Sequence, residues 1–188
     1  MGAALTLHPD CSCAAVDGID VEAVRLPGGG LTLLYVLTGS LDGLCLPPRG
    51  APERAGGLWR HTCFEAFVRA ANGDAGYYEF NFAPSTEWAA FRFETYREGT
   101  RDLTWEELEA PNLLGGGGEG GVALRVQLTL DGVPGLGGEA GWKLGLAAVI
   151  EDAGGGLSYW ALAHPPGAPD FHHADGFTLD LPAPGPKN

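Results

Sequence analysis

Basic residues are scarce in this sequence, and their scarcity bears on the partners that the protein can have. The chain has 11 lysine and arginine residues against 24 aspartate and glutamate residues, which gives a formal net charge of −13. A surface with this charge repels both nucleic acid and anionic lipid. We therefore expect no nucleic-acid partner and no membrane partner, and we interpret the acidity as solvated surface.

Long apolar runs are missing as well. No stretch approaches the roughly 20 apolar residues that a membrane-spanning helix needs. The N-terminal MGAALTLHPD has no basic start, and His8 and Pro9 interrupt its short apolar run. The sequence therefore predicts neither a transmembrane helix nor a signal peptide, and we expect a cytoplasmic location.

Cysteines are too few and too unevenly spaced to indicate a disulfide framework or a metal site. In a reducing compartment Cys11, Cys13, Cys45 and Cys63 are expected to be free thiols. Cys11 and Cys13 are close enough to chelate together, but a structural zinc site normally adds a second pair or nearby histidines. The sequence predicts no structural metal.

Glycine and proline, by contrast, are abundant, and no helical period is sustained. The 31 glycines and 14 prolines indicate frequent turns between short strands. The composition and strand spacing predict an all-β fold, either a sandwich or a barrel, in a single domain over 1–188. A glycine-rich segment, 115–121, is predicted to be a mobile loop. The predicted strands, about ten in number, cover 3–7, 19–26, 31–38, 41–46, 63–69, 77–82, 88–95, 122–130, 142–151, 157–164 and 177–181.

Residues 58–97 concentrate aromatic and carboxylate side chains at a spacing of two. Alternation along three successive strands sorts these side chains into an apolar face and a polar face. The apolar face is predicted to contain Phe64, Ala66, Val68, Tyr78, Phe80, Phe82, Phe91 and Phe93, and the polar face Glu65, Phe67, Glu79, Asn81, Trp88 and Arg92.

A face that combines an indole with carboxylates, an amide and a guanidinium is typical of saccharide binding. The indole covers the apolar side of a sugar ring, and the polar groups bond its hydroxyls. We predict Trp59 and Trp88 as platforms. The predicted hydrogen-bonding groups are Glu65, Glu79, Asn81 and Arg92. The alternative is a cross-strand salt-bridge network on a solvated sheet.

A second dense motif, SYWALAHPPGAPDFHH, begins at Ser158. We predict that His164, Asp170 and His172 contribute to the rim of the same site. Alternatively, His164 is a structural histidine whose hydrogen bonds are satisfied at the end of its strand, and Asp170 fixes a turn. The adjacent pair His172–His173 points to opposite sides of an extended chain, so the two rings do not readily chelate one ion.

The segments LWRHTCFEAFV, YYEFNFAPSTEWAAFRF and TYREG, followed by SYWALAHPPGAPDFHH, resemble bacterial DOMON-like domain proteins. That group is related to the DOMON domains and to the family 9 carbohydrate-binding modules, and the resemblance extends to the N-terminal LHPDCSCAAVDGIDV. It implies an antiparallel two-sheet β-sandwich of the DOMON-like, immunoglobulin-like or jelly-roll-like kind, whose better-known relatives bind haem or sugars. A fold by itself does not identify a function.

Two alternatives to a non-catalytic ligand-binding module stay open. Some DOMON domains hold haem through methionine and histidine, but the only methionine here is Met1, so only a bis-histidine site from His61, His164, His172 or His173 would remain. We therefore predict no cofactor. Glu65 and Glu79 could also form the carboxylate pair of a glycoside-acting enzyme. The favoured prediction is a module that binds a carbohydrate or another small polar ligand on a sheet face, in an oligomeric state that the sequence leaves open.

Overall fold

The computed structural model describes residues 1–118, 120–138 and 140–184, and in them the chain is almost entirely β-structure. No helix in these ranges is long and apolar enough to cross a membrane. Short 3-10 turns cover Leu41–Gly43, Leu58–Arg60 and Ala174–Gly176. The strands are β1 (Gly2–Leu7), β2 (Val16–Leu26), β3 (Gly30–Gly39), β4 (Cys63–Ala70), β5 (Tyr77–Phe82), β6 (Trp88–Phe93), β7 (Arg101–Asp102), β8 (Asn112–Gly118), β9 (Gly121–Thr129), β10 (Trp142–Glu151), β11 (Leu157–Ala161) and β12 (Leu179–Leu181).

The strands form two antiparallel layers that share β1. One layer has the order β1-β2-β3-β9-β8, and the other has the order β7-β6-β5-β4-β10-β11-β1, with β12 also paired to β10. The first part of β1, from Gly2 to Leu5, pairs with β2 in the first layer. Thr6 and Leu7 pair with β11 in the second layer. Strand β1 therefore passes from one sheet to the other, and the predicted β-sandwich is confirmed.

The core lies between the two layers and follows from the alternation of side chains along each strand. In β3, for example, Leu31, Leu33, Tyr35 and Leu37 point inward and are fully buried. Most of the predicted apolar face of residues 58–97 lies here: Phe64, Ala66, Val68, Tyr78, Phe80 and Phe82. The Tyr35 hydroxyl donates to the Glu65 backbone carbonyl at 2.8 Å, which links the two layers through a buried hydrogen bond.

Strand β6 has the opposite phase from the prediction. Phe82 pairs with Trp88 and Glu79 pairs with Phe91, so Trp88 shares the core face of Phe82 while Phe91 lies on the face of Glu79. The turn between β5 and β6 sets this phase, and Thr86 within it takes a left-handed φ of 80°. The predicted facing of Trp88, Arg92, Phe91 and Phe93 was therefore wrong.

One strand prediction and one loop prediction were also wrong. The predicted strand 41–46 begins as a 3-10 turn, and only Leu44 makes a β-bridge, to Asp152. In the glycine-rich segment, Gly115–Gly118 belong to strand β8, which pairs with β9 at the edge of the first layer. Glu119 in that segment lies outside the described residues.

Candidate ligand-binding groove

A groove lies on the outer face of the second layer, opposite the core. Its cavity has a volume of about 430 Å³. Strands β4, β5, β6, β10 and β11 supply the floor and the nearer walls. The segments around Trp59, Arg97 and 169–172 supply the remaining walls. The structure thus places a cavity on the face from which the sequence predicted Glu65 and Glu79 to project.

Two buried carboxyl groups form the polar part of the floor. Glu65 on β4 is 3% exposed, and Glu79 on β5 is 6% exposed. Asn81 lies directly across from Glu65 and donates from Nδ2 to Glu79 Oε1 at 2.7 Å. Within the described ranges, Glu65 Oε1 and Asn81 Oδ1 have no hydrogen-bond partner. A buried acceptor without a donor is costly, and a ligand that donates a hydrogen bond to Glu65 Oε1 would remove that cost.

Burial controls the protonation of the two carboxyl groups. Loss of hydration raises the pKa of Glu65 well above its usual value, and the charge of Glu79 raises it further. Burial also raises the pKa of Glu79, although the Asn81 hydrogen bond and the Arg97 charge oppose the rise. Each glutamate of the floor therefore retains its proton to a higher pH than an exposed glutamate does.

His172 forms part of the wall beside Glu79. Its Nδ1 lies 2.9 Å from the Tyr77 hydroxyl, and its Nε2 lies 3.7 Å from Glu79 Oε2. The rings of Phe67 and Phe93 pack edge-on against the imidazole at 5.1 and 5.0 Å. Burial lowers the pKa of His172 to about 4, with a further contribution from the Arg97 charge. The imidazole is therefore neutral at pH 7 and does not neutralise the carboxylates.

Arg97 and Asp170 join the loops that surround the cavity. The Arg97 guanidinium donates to Asp170 Oδ1 at 2.7 Å, and the Tyr96 hydroxyl donates to Oδ2 at 2.5 Å. Asp170 Oδ1 also accepts the backbone N–H of His172 at 3.1 Å. Arg97 itself has a left-handed φ of 57°, and its backbone N–H donates to the Tyr77 hydroxyl at 3.1 Å. Asp170 therefore holds both the His172 segment of the wall and the Arg97 guanidinium in position.

Aromatic rings make the remaining walls. Trp59 is 42% exposed and packs edge-on against Phe91, with ring centroids 6.0 Å apart. Phe93 stacks on Tyr77 at 4.8 Å, and Phe171 lies 6.1 Å from Tyr159 on the other side. A ligand in this cavity would meet apolar rings at its sides and carboxyl groups beneath it.

The structure brings together some of the residues predicted for the site and separates others. Trp59, Glu65, Glu79 and His172 line the cavity, while Asn81 and Asp170 hold its lining residues in position.

Three predicted site residues lie elsewhere. Trp88 is 1% exposed in the core. Arg92 donates to the Tyr78 hydroxyl at 2.5 Å on the core side of β6. His164 approaches the Thr6 backbone carbonyl through Nε2 at 2.8 Å and packs edge-on against His8.

Sequence reasoning also missed several lining residues. Phe91 and Phe93 line the groove because of the observed phase of β6. The pairing of Phe82 with Trp88 sets that phase, and the sequence alone did not reveal this pairing. Arg97, Tyr159 and Phe171 reach the groove through loop and strand packing. No periodic signal marks them.

Comparison with known proteins identifies a related fold. No family model and no curated protein matches the chain. A solved structure of a proposed carbohydrate-binding protein from Bacteroides uniformis ATCC 8492 is similar. It has a TM-score of 0.64 and 16% sequence identity over 85% of this chain and 76% of that chain. At this identity the likeness shows a shared fold.

A family 9 carbohydrate-binding module from Caldicellulosiruptor kristjanssonii, solved in complex with glucose, is similar at a TM-score of 0.48 and 8% identity. The alignment covers 84% of this chain and 72% of that chain. The assignment to the DOMON-like group stays a prediction.

The histidines do not assemble into a haem or metal site. His61 pairs with Glu151 through Nδ1 at 2.7 Å, His164 contacts Thr6, and the His173 side chain accepts the Asp175 backbone N–H. His172 alone of these four lines the main cavity. Across the part of the chain that the structure describes, no three His, Cys, Asp or Glu side chains converge as metal ligands. These residues do not fit a bis-histidine haem.

Proposed function

We propose that the protein is a non-catalytic module that binds a small polar ligand, of the carbohydrate class, in the groove above Glu65 and Glu79. One observation carries the proposal. The Glu65 carboxyl is buried and leaves Oε1 without a hydrogen-bond partner in the described ranges, yet it lines a cavity with aromatic walls. Small-molecule sites combine such apolar walls with a few convergent polar groups.

The size and chemistry of the groove suit a sugar ring. Ligand pockets have volumes of roughly 300–1,000 Å³, and the cavity of about 430 Å³ falls in this range. Trp59 offers an indole that is open to solvent on one side, as a platform for an apolar ring face must be. Glu65 and Glu79 can bond the hydroxyl groups.

The shared fold supports the proposal. The Bacteroides uniformis protein of similar fold is described as a proposed carbohydrate-binding protein. The support is limited to the architecture, and the chemistry of the groove in this chain carries the rest.

Isothermal titration calorimetry with a panel of neutral, acidic and amino monosaccharides tests the proposal. Trp59→Ala removes the platform and is expected to weaken binding by about tenfold or more. Trp105→Ala is the matched control, because Trp105 is 60% exposed and does not line the cavity. Equal affinity in the two variants, or no binding by the wild-type protein to any sugar, would contradict the proposal.

A glycoside-acting enzyme is the second candidate, and the raised pKa values of Glu65 and Glu79 favour it. A carboxyl group that retains its proton can act as a general acid on a glycosidic oxygen. Release of nitrophenol from nitrophenyl glycosides, lost in both Glu65→Gln and Glu79→Gln, would establish this activity. Binding without turnover would establish the module.

A further inference from the structure

We propose that the ligand of this groove carries an ammonium group, which sits on the floor against Glu65 and Glu79 and between the aromatic walls. The inference rests on the proposed function and narrows its ligand class. An amino sugar satisfies both the walls and the floor. A neutral sugar contacts the aromatic walls but provides donors for only part of the floor.

The floor offers acceptors and lacks donors. Asn81 could have supplied a donor, but its Nδ2 already bonds Glu79 Oε1. Two atoms here lack a partner among residues 1–118, 120–138 and 140–184, namely Glu65 Oε1 and Asn81 Oδ1, and both can only accept when the carboxyl is ionised. An ammonium group brings three N–H donors to one point, whereas a hydroxyl brings a single donor.

When the carboxyl groups of the floor ionise, their negative charge is not balanced by neighbouring side chains. Arg97 is the one cationic side chain among the residues that line the cavity, and its guanidinium is bonded to Asp170. His172 is neutral at pH 7 because burial lowers its pKa to about 4. The other titratable groups near the floor are neutral acids whose pKa is raised by burial: Tyr35, Cys63 and Tyr77. Tyr159 also lines the cavity.

The walls suit a cation as well as they suit a sugar ring. Trp59, Phe91, Phe93 and Phe171 present aromatic surface around a buried carboxyl pair. A cation near the faces of such rings is stabilised by their quadrupoles. The low polarity of these walls also strengthens its attraction to the carboxylates.

Binding of a cation should displace a proton. In the empty groove burial favours the protonated Glu65 carboxyl. An ammonium group beside it favours the carboxylate, so the O–H proton passes to the buffer while the ligand keeps its own protons. Affinity for an ammonium ligand therefore rises with pH through the range in which Glu65 of the empty groove titrates.

Four probes separate this inference from the proposed function: glucosamine, N-acetylglucosamine, glucose and cyclohexylamine. Calorimetry of the wild-type protein is expected to show glucosamine binding at least about tenfold tighter than the other two sugars. Cyclohexylamine, which has no hydroxyls and is fully protonated at pH 7, should bind and release protons. The released protons are counted by repeating the titration in phosphate and in HEPES, because Tris is itself a primary ammonium ion and would compete for the site.

The outcomes are distinguishable. Equal binding of all three sugars, with none of cyclohexylamine, would overturn the inference and keep the carbohydrate proposal. Binding of cyclohexylamine without any sugar would support the inference and overturn the carbohydrate proposal. Failure of all four probes would overturn both. Inhibition of glucosamine binding by millimolar CaCl₂ would identify the floor as a cation site for metal, against the inference.

Substitution of each floor glutamate tests which carboxyl groups produce the preference for glucosamine. Glu65→Gln and Glu79→Gln keep the shape of the side chain and are each expected to reduce the preference for glucosamine over glucose to near unity. Glu65→Gln should also reduce the proton release. Glu22→Gln is the control, because Glu22 is exposed on β2 in the other layer. A preference that survives in both groove variants would contradict the inference.

Discussion

Glu65 is a residue at which the requirements of stability and of binding differ. Its carboxyl is buried, and one oxygen has no hydrogen-bond partner in the part of the chain that the structure describes, which costs folding free energy whenever the group is ionised. Its pKa in the folded protein lies above the value in the unfolded chain. The stability that this group contributes is therefore fully present below the unfolded pKa of about 4.3 and is lost as the pH rises through the folded pKa.

Glu65→Gln should make the protein more stable than the wild type as the pH rises above about 4. The amide keeps the shape of the side chain and never ionises. We expect the difference in free energy of unfolding to grow by on the order of 1 kcal/mol per pH unit up to the folded pKa. Urea unfolding at a series of pH values measures this difference. Glu22→Gln should show no such trend, and a Glu65→Gln variant less stable at every pH would contradict the account.

The pKa of His172 shifts in the opposite direction on folding, so the pH dependence of its contribution to stability is reversed. Its folded pKa of about 4 lies below the ordinary value of 6.5, so its stabilising effect is present above the unfolded pKa and is lost as the pH falls through the folded one. His172→Phe stays neutral at every pH. As the pH falls between these two pKa values, we expect the free energy of unfolding of the wild type to decrease by about 1–3 kcal/mol. The variant should not show this decrease.

Urea unfolding of His172→Phe and of His173→Phe checks this assignment. His173 is partly exposed and adjacent in sequence, so its variant should retain the acid-induced loss. An identical pH profile in the two variants would show that His172 is not the responsible group.

At the scale of the elements, alternation predicted β4 and β5 correctly because both strands are regular and antiparallel. Glu65 and Glu79 were placed on the correct face for this reason. The phase of β6 could not be obtained from its residues alone. Trp88, Ala90 and Arg92 occupy positions that alternate with Phe91 and Phe93, and aromatic residues stand in both sets. The turn before β6 decides between them.

The same correction reverses an expected mutational effect. From the sequence, Trp88→Ala should abolish binding and leave stability unchanged. Because Trp88 is a core residue packed against Trp105 and under the Arg54 guanidinium, the substitution should instead destabilise the protein by about 3–5 kcal/mol. Thermal and urea unfolding measure this loss. A Trp88→Ala protein of wild-type stability would place the indole outside the core.

Strand β8 was missed for a different reason. A run of glycines has no side-chain pattern, so it gives no strand signal by periodicity. Its pairing with β9 supplies the order that its own residues do not indicate. At the start of β9, a Cβ atom added to Gly121 would lie 2.1 Å from the Leu37 carbonyl oxygen. Close backbone approach, which depends on the partner strand, explains this glycine.

For the whole molecule, the sandwich separates the core from the groove by placing them on opposite faces of one sheet. Phe64, Ala66 and Val68 of β4 serve the core, while Glu65 and Phe67 alternate with them on the other face. A polar groove can therefore exist without interrupting the core. The fold class and the floor of the groove were predictable from strand alternation. The walls were not, because segments distant in sequence, such as 95–100 and 165–173, supply much of them.

The central claim is that a small polar ligand binds in the groove over Glu65 and Glu79. Amide ¹H–¹⁵N spectra recorded during a titration with monosaccharides, glucosamine included, test it most directly. The account predicts saturable shifts at the Trp59 indole N–H and at the amides of Glu65, Glu79, Arg97 and His172. Outer-face residues of the other layer, such as Glu22 and Gln127, should not shift. Shifts confined to that outer layer, or no shifts with any sugar, would contradict it.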